Sequence, residues 1–88
     1  MRFKLLEPAV LKRDLPDLGL KRGDVGAVVE IYSSDALEVE FVRGSGETQA
    51  LVTLKNRDLR RMKGDELLSV RPLGRGRPRP PGPGKRSR

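Results

Sequence analysis

Two glutamates, Glu38 and Glu40, and three aspartates, Asp14, Asp17 and Asp24, are the residues of this chain whose type and spacing come closest to chemistry. A pair of carboxylates on one strand face can divide the work of general acid and general base, and a loop of aspartates can hold a hard cation. Neither arrangement is complete. Glu38 and Glu40 alternate with Leu37, Val39 and Phe41, which places them on the solvated face of a half-buried strand. Asp14, Asp17 and Asp24 lack the spacing and the glycine placement of a calcium loop and suit turns instead. The chain has no histidine and no cysteine, so the commonest general base and the strongest nucleophile are both missing. The expectation is a binding protein and not an enzyme, with no catalytic residue, no metal site and no cofactor.

What remains for binding is charge, and the charge is unevenly distributed. Residues 1–70 carry twelve Lys and Arg against all twelve Asp and Glu, a net of zero. Residues 71–88 add Arg71, Arg75, Arg77, Arg79, Lys85, Arg86 and Arg88 with no acid, which supplies the whole formal charge of +7. The same stretch holds five prolines, four glycines and one large apolar side chain, Leu73, so it cannot build a core and is expected to be an extended, disordered basic tail. Arginines on such a tail suit bidentate phosphate contacts without sequence readout. Arg75-x-x-Pro78-x-x-Pro81 fits a polyproline ligand pattern, and Arg22-Gly23-Asp24 spells an integrin-type tripeptide; both are short matches of a kind that arise by chance.

The elements that must position any binding residue are strands. Pro8 suits the opening of an edge strand, and a short strand is expected at Ala9 to Lys12. Arg13 to Asp24, broken by Pro16, Gly19 and Gly23, reads as a long ordered loop pinned by Leu15, Leu18 and Leu20. VGAVVEIY, residues 25–32, is rich in β-branched residues and would line one strand face with Val25, Ala27, Val29 and Ile31. A turn at Ser33 to Asp35 leads to the alternating strand carrying Leu37, Val39 and Phe41. The turn Arg43-Gly44-Ser45-Gly46 leads to a strand from Glu47 to Leu54. Lys55 to Asp58 reads as one helical or 3-10 turn, and Leu59 to Met62 as a closing strand that returns to the first. Glu66 to Val70 is compatible with a last strand or with a helical turn over an open end.

Five short strands in this order define the expected fold class, an all-β, small five-stranded SH3-like barrel over residues 1–70, with the disordered Pro/Gly/Arg-rich tail over 71–88. The five-stranded OB-fold is the runner-up, but it places a helix between its third and fourth strands, for which residues 43–47 leave no room. The stretch DLPDLGLKRGDVGAVVE at 14–30 resembles a bacterial and archaeal family known as domain of unknown function 4926. The similarity continues through LEVEFV at 37–42, GETQALVTL at 46–54 and DLRRM at 58–62, and GDELLSVRPL at 64–73 looks like an ending found in that family. The resemblance implies an SH3-like barrel, no known activity and no site residues to carry over. It also implies a stand-alone small protein with a partner encoded nearby, of an antitoxin-like or accessory kind.

The functional expectation is a protein–protein interaction module that presents the 13–24 loop and a barrel edge, with Leu18, Lys21, Arg22 and Tyr32 as the contact residues. The alternative is an RNA-associated accessory barrel, because KRGDVGAVVE at 21–30 also resembles the KOW-type motif. That reading would use Lys21, Arg22 and the tail cations. With only Phe3, Tyr32 and Phe41 as aromatics, and Phe41 pointing inward, it lacks a stacking platform. No run is long and apolar enough to span a bilayer, and MRFKLLEPAV is interrupted where a signal peptide needs apolar continuity, so a cytoplasmic location without membrane contact is expected. The partner's identity and the oligomeric state are not encoded legibly.

Overall fold

A computed structural model describes residues 3–73 and folds the alternating segments into five strands: β1 (Pro8–Leu11), β2 (Val25–Ile31), β3 (Ala36–Val42), β4 (Thr48–Lys55) and β5 (Leu59–Arg61). One-turn 3-10 segments at Pro16–Leu18 and Asn56–Asp58 are the helical elements, and no α-helix occurs among the described residues. All pairings are antiparallel, and the strand order is β4-β3-β2-β1-β5. The all-β, five-stranded expectation therefore holds, including the return of β5 to β1 through Leu11 opposite Leu59. β4 and β5 end this order and are not paired with one another, so the sheet is open and a closed barrel is not formed by its ladders. No described helix is long and apolar enough to cross a membrane.

The core follows from period-two alternation. Leu37, Val39 and Phe41 of β3, Ala50 and Leu54 of β4, Ala9 and Leu11 of β1, and Leu59 of β5 point to one side, where Phe3, Leu20 and Val28 complete the cluster. Phe3 is fixed from outside by the Arg61 guanidinium, 5.3 Å above its ring centre.

β2 departs from its simple alternation. Val28 lies opposite Val39 on the core side and is fully buried, whereas Ala27 lies opposite Glu40 on the outer side. Between Val28 and Glu30 the register slips, β2 advancing two residues while β3 advances one, so that Ile31 comes opposite Leu37. Such a bulge interrupts the period of two, and Val25, Ala27, Val29 and Ile31 do not share a face as their spacing suggests.

Neither a sixth strand nor a helical turn forms at Glu66 to Val70. Residues 63–73 instead run as an irregular strap that meets the outer face of the sheet at Arg60 and continues to a groove lined in part by the core residues Leu20 and Phe41. Val10, Val25 and Arg60 are cross-strand neighbours on that face, and Arg60 holds Glu66 of the strap in a two-pronged ion pair, both bonds 2.8 Å. Val10 is buried although it points away from the main core. Of the expected tail, Arg71 to Leu73 belong to this strap, and residues 74–88 lie outside the described residues.

Candidate functional site

The 13–24 loop is a miniature hairpin. Leu15 and Leu20 exchange both backbone hydrogen bonds, at 2.9 and 3.1 Å, around the Pro16–Leu18 turn. Proline pre-sets the first residue of that turn, and Gly19 closes it at φ 72°, a conformation that suits glycine. Leu20 is buried in the core and Leu15 packs against it, while Leu18 stays 38% exposed, so two of the three expected leucine anchors dip inward.

Carboxylates hold the base of the loop. Asp14 Oδ1 accepts the Arg22 backbone N–H at 2.8 Å, and Asp24 Oδ2 accepts that of Lys21 at 2.8 Å. Leu11 N–H donates to the Asp24 carbonyl and Gly23 N–H to the Leu11 carbonyl, each at 2.9 Å, which welds the loop to β1. These aspartates are turn-fixing groups, and the Asp24 of the Arg-Gly-Asp tripeptide is fully engaged within the chain. Gln49 Nε2 donates to the Leu18 carbonyl at 3.0 Å while its Oε1 accepts Arg43 Nε at 2.7 Å, which ties the loop tip to β4 and to the β3–β4 turn.

The strap reaches this loop through Arg71. Its Nε donates to Asp24 Oδ1 at 2.9 Å, and its Nη2 donates both to Asp24 Oδ2 at 2.5 Å and to the Gly19 carbonyl at 3.1 Å. Burial pushes the Asp24 carboxyl up, but the Arg71 guanidinium and the Lys21 N–H outweigh it and hold the group below its ordinary value. Between strap and sheet lies an open groove of about 1020 Å³, lined by Leu20, Val25, Phe41 and Val42 on the body and by Leu68 to Leu73 on the strap.

The four expected contact residues do not converge. Leu18, Lys21 and Arg22 share the loop, where all three are exposed; among the described residues neither cation's side chain makes a hydrogen bond or ion pair, though the Lys21 charge is felt at Asp24. Tyr32 lies past the far end of the seven-residue β2, roughly 20 Å from the loop at the rise of an extended strand. There its hydroxyl donates to Glu38 Oε1 at 3.1 Å, and Glu38 also accepts Thr53 Oγ1. Of the tail cations Arg71 occupies the loop as described; Arg75, Arg77, Arg79, Lys85, Arg86 and Arg88, with the polyproline pattern they surround, lie outside the described residues. Sequence reasoning missed the Arg71–Asp24 and Arg60–Glu66 clamps. The available signal was an excess of paired charge at 58–71, which does not say which cation finds which acid.

A family model for the Domain of unknown function (DUF4926) matches residues 5–61. The loop and all five strands lie within the match, and the strap follows it. Searches among curated proteins and among solved structures returned no match.

Proposed function

The chain belongs to this domain-of-unknown-function family, and we propose that it serves as a protein-binding module whose contact surface is the 13–24 loop together with the strap. The supporting observation is where apolar side chains are exposed. Val70 and Leu68, 95% and 68% exposed, flank the strap beside Arg71, and Leu18 adjoins Gly19 on the other side of the same contact. Exposed apolar side chains on segments that meet, with a charged rim, are a usual mark of a protein interaction surface, and Lys21 and Arg22 provide that rim.

The RNA reading has weaker support. Phe3 and Phe41 are buried, which leaves Tyr32 as the single ring for base stacking, and Glu30, Glu38 and Glu40 carry negative charge on the outer face of the sheet. It depends on Lys21, Arg22 and the tail cations.

The test is capture of partners from a native lysate by the full chain, with and without nuclease, beside a Leu18→Asp/Val70→Asp variant. A protein retained after nuclease and lost by the variant is the expected result. Loss of the captured material on nuclease treatment would overturn the proposal in favour of the nucleic-acid reading.

A further inference from the structure

Asp24 and Gly19 are positioned without help from the strap. The Asp24 carboxylate accepts the Lys21 N–H, its backbone is bonded to Leu11 and Lys21, and the carbonyl next to that of Gly19 is held by Gln49. Two carboxylate oxygens and one carbonyl oxygen thus converge in fixed geometry at the rim of the groove, a set of acceptors that matches the planar fork of a guanidinium and not the point charge of an ammonium.

The group that fills this set belongs to a segment whose other described tie to the body is the Arg60–Glu66 pair, five residues earlier. Arg71 stands 47 residues from Asp24 in the chain, on a strap with no ladder pairing, and Leu67, Leu68 and Val70 before it stay largely exposed. Arg71 is followed by Pro72, which keeps the backbone extended along the groove and has no N–H to satisfy. The relationship is that of a rigid receptor with a short peptide laid in it, joined at Arg71 and anchored five residues earlier by the Arg60–Glu66 pair.

We propose that Asp24 and the Gly19 carbonyl form a recognition site for an arginine–proline peptide segment of a partner protein, which the chain's own Arg71 occupies when the partner is absent. The proposal rests on the protein-binding reading and adds the chemistry of the ligand and a means of control. Charge complementarity selects the occupant: a carboxylate with a neighbouring carbonyl takes an arginine and rejects an acidic segment. A tether makes the internal arginine a competitor at an effective concentration of about millimolar, so an external segment must present further contacts, and the groove beside Leu20, Phe41 and Val42 is where they would fall.

The test uses the full chain, a synthetic peptide of sequence Ser-Val-Arg-Pro-Leu-Gly with blocked ends, and two-dimensional NMR of the Gly19 and Asp24 amides. The Arg71→Ala variant should bind the peptide saturably, the wild-type chain at least about tenfold more weakly because its own arginine competes. The Arg71→Ala/Asp24→Asn double variant should not bind, and a peptide with lysine for arginine should bind the single variant more weakly. Equal binding by wild type and Arg71→Ala, or undiminished binding by the double variant, overturns the proposal. Should Arg71→Ala fail to fold, Arg71→Lys tests the same point, since it keeps the charge and loses the fork, and should bind the arginine peptide better than wild type does. A wild-type mass that rises to a dimer with concentration, and falls back in Arg71→Ala, would put Arg71 in a second copy and overturn occupancy within one chain. Nuclease-resistant capture of a protein with no peptide binding in any variant would defeat this proposal while leaving the binding-module reading intact.

Discussion

Gly26 of β2 lies against Val39 of β3 more closely than any side chain would permit: a Cβ at Gly26 would stand 2.7 Å from Val39 Cγ1, with the Glu40 carbonyl oxygen at 2.8 Å and Phe41 Cε1 at 2.9 Å. The core side chains of β3 thus lie directly against the start of β2. Since Gly26 also pairs with Ala9 of β1, the approach is fixed from both sides.

Gly26→Ala is expected to lower stability by about 1–3 kcal/mol, the usual range for forcing an extra methyl into a packed site. One of the three obstructing atoms is backbone and cannot rotate aside. Urea denaturation checks this, and a variant as stable as the wild type would contradict the close approach.

Leu59→Ala and Leu67→Ala should behave oppositely although both lie near the end of the fold. Leu59 is 1% exposed within the core, and its truncation should cost about 2–5 kcal/mol. Leu67 is 90% exposed, and its truncation should stay within about 0.5 kcal/mol of wild type. Paired thermal melts distinguish them.

The Arg60–Glu66 clamp should be visible in acid. The Arg60 guanidinium and the Lys63 N–H hold the Glu66 carboxyl down at about 2, against an ordinary 4.5. A depressed folded-state pKa favours folding above the unfolded value, and that contribution fades as pH falls from about 4.5 to about 2. Melting temperatures of wild type and Glu66→Gln should therefore differ most near neutral pH and converge toward about pH 2. A gap that does not change with pH would show that the ion pair is not formed.

Asp24 provides a second titration. Removing Arg71 leaves burial, which raises the carboxyl, opposed by the Lys21 N–H and charge, so Arg71→Ala should shift the Asp24 midpoint upward in a carboxyl-detected NMR titration. An unchanged midpoint would mean that the strap is not docked in solution.

Tyr32 is the one tyrosine of a chain without tryptophan, which makes its ionisation easy to follow by ultraviolet absorbance. Its hydroxyl donates to Glu38, and that bond, reinforced by the negative charge, raises it above 10.0. Glu38→Gln should bring the midpoint down toward 10.0, and no movement would remove the contact.

The strands were legible because their causes are local. Leu37, Val39 and Phe41 announce their face by alternation with glutamates, and the turn at Arg43 to Gly46 announces itself by its glycines. The bulge in β2 was not legible. Val25 to Ile31 is apolar at nearly every position, so either set of alternate residues could face inward, and the choice fell to the space that Val39 and Phe41 leave above Gly26.

By itself, then, the sequence determined the number and order of the strands, the loop that Leu20 anchors and the separation of a neutral body from a cationic end, since each depends on residues near one another in the chain or on composition alone. Only the tertiary structure decided that Arg60 would grip Glu66, that Arg71 would cross to Asp24, and that Tyr32 would stand apart from Lys21 and Arg22. Ion pairs between distant residues carry no periodic signal: any arginine could in principle meet any acid, and the selection is made by which of them the fold brings within hydrogen-bonding reach.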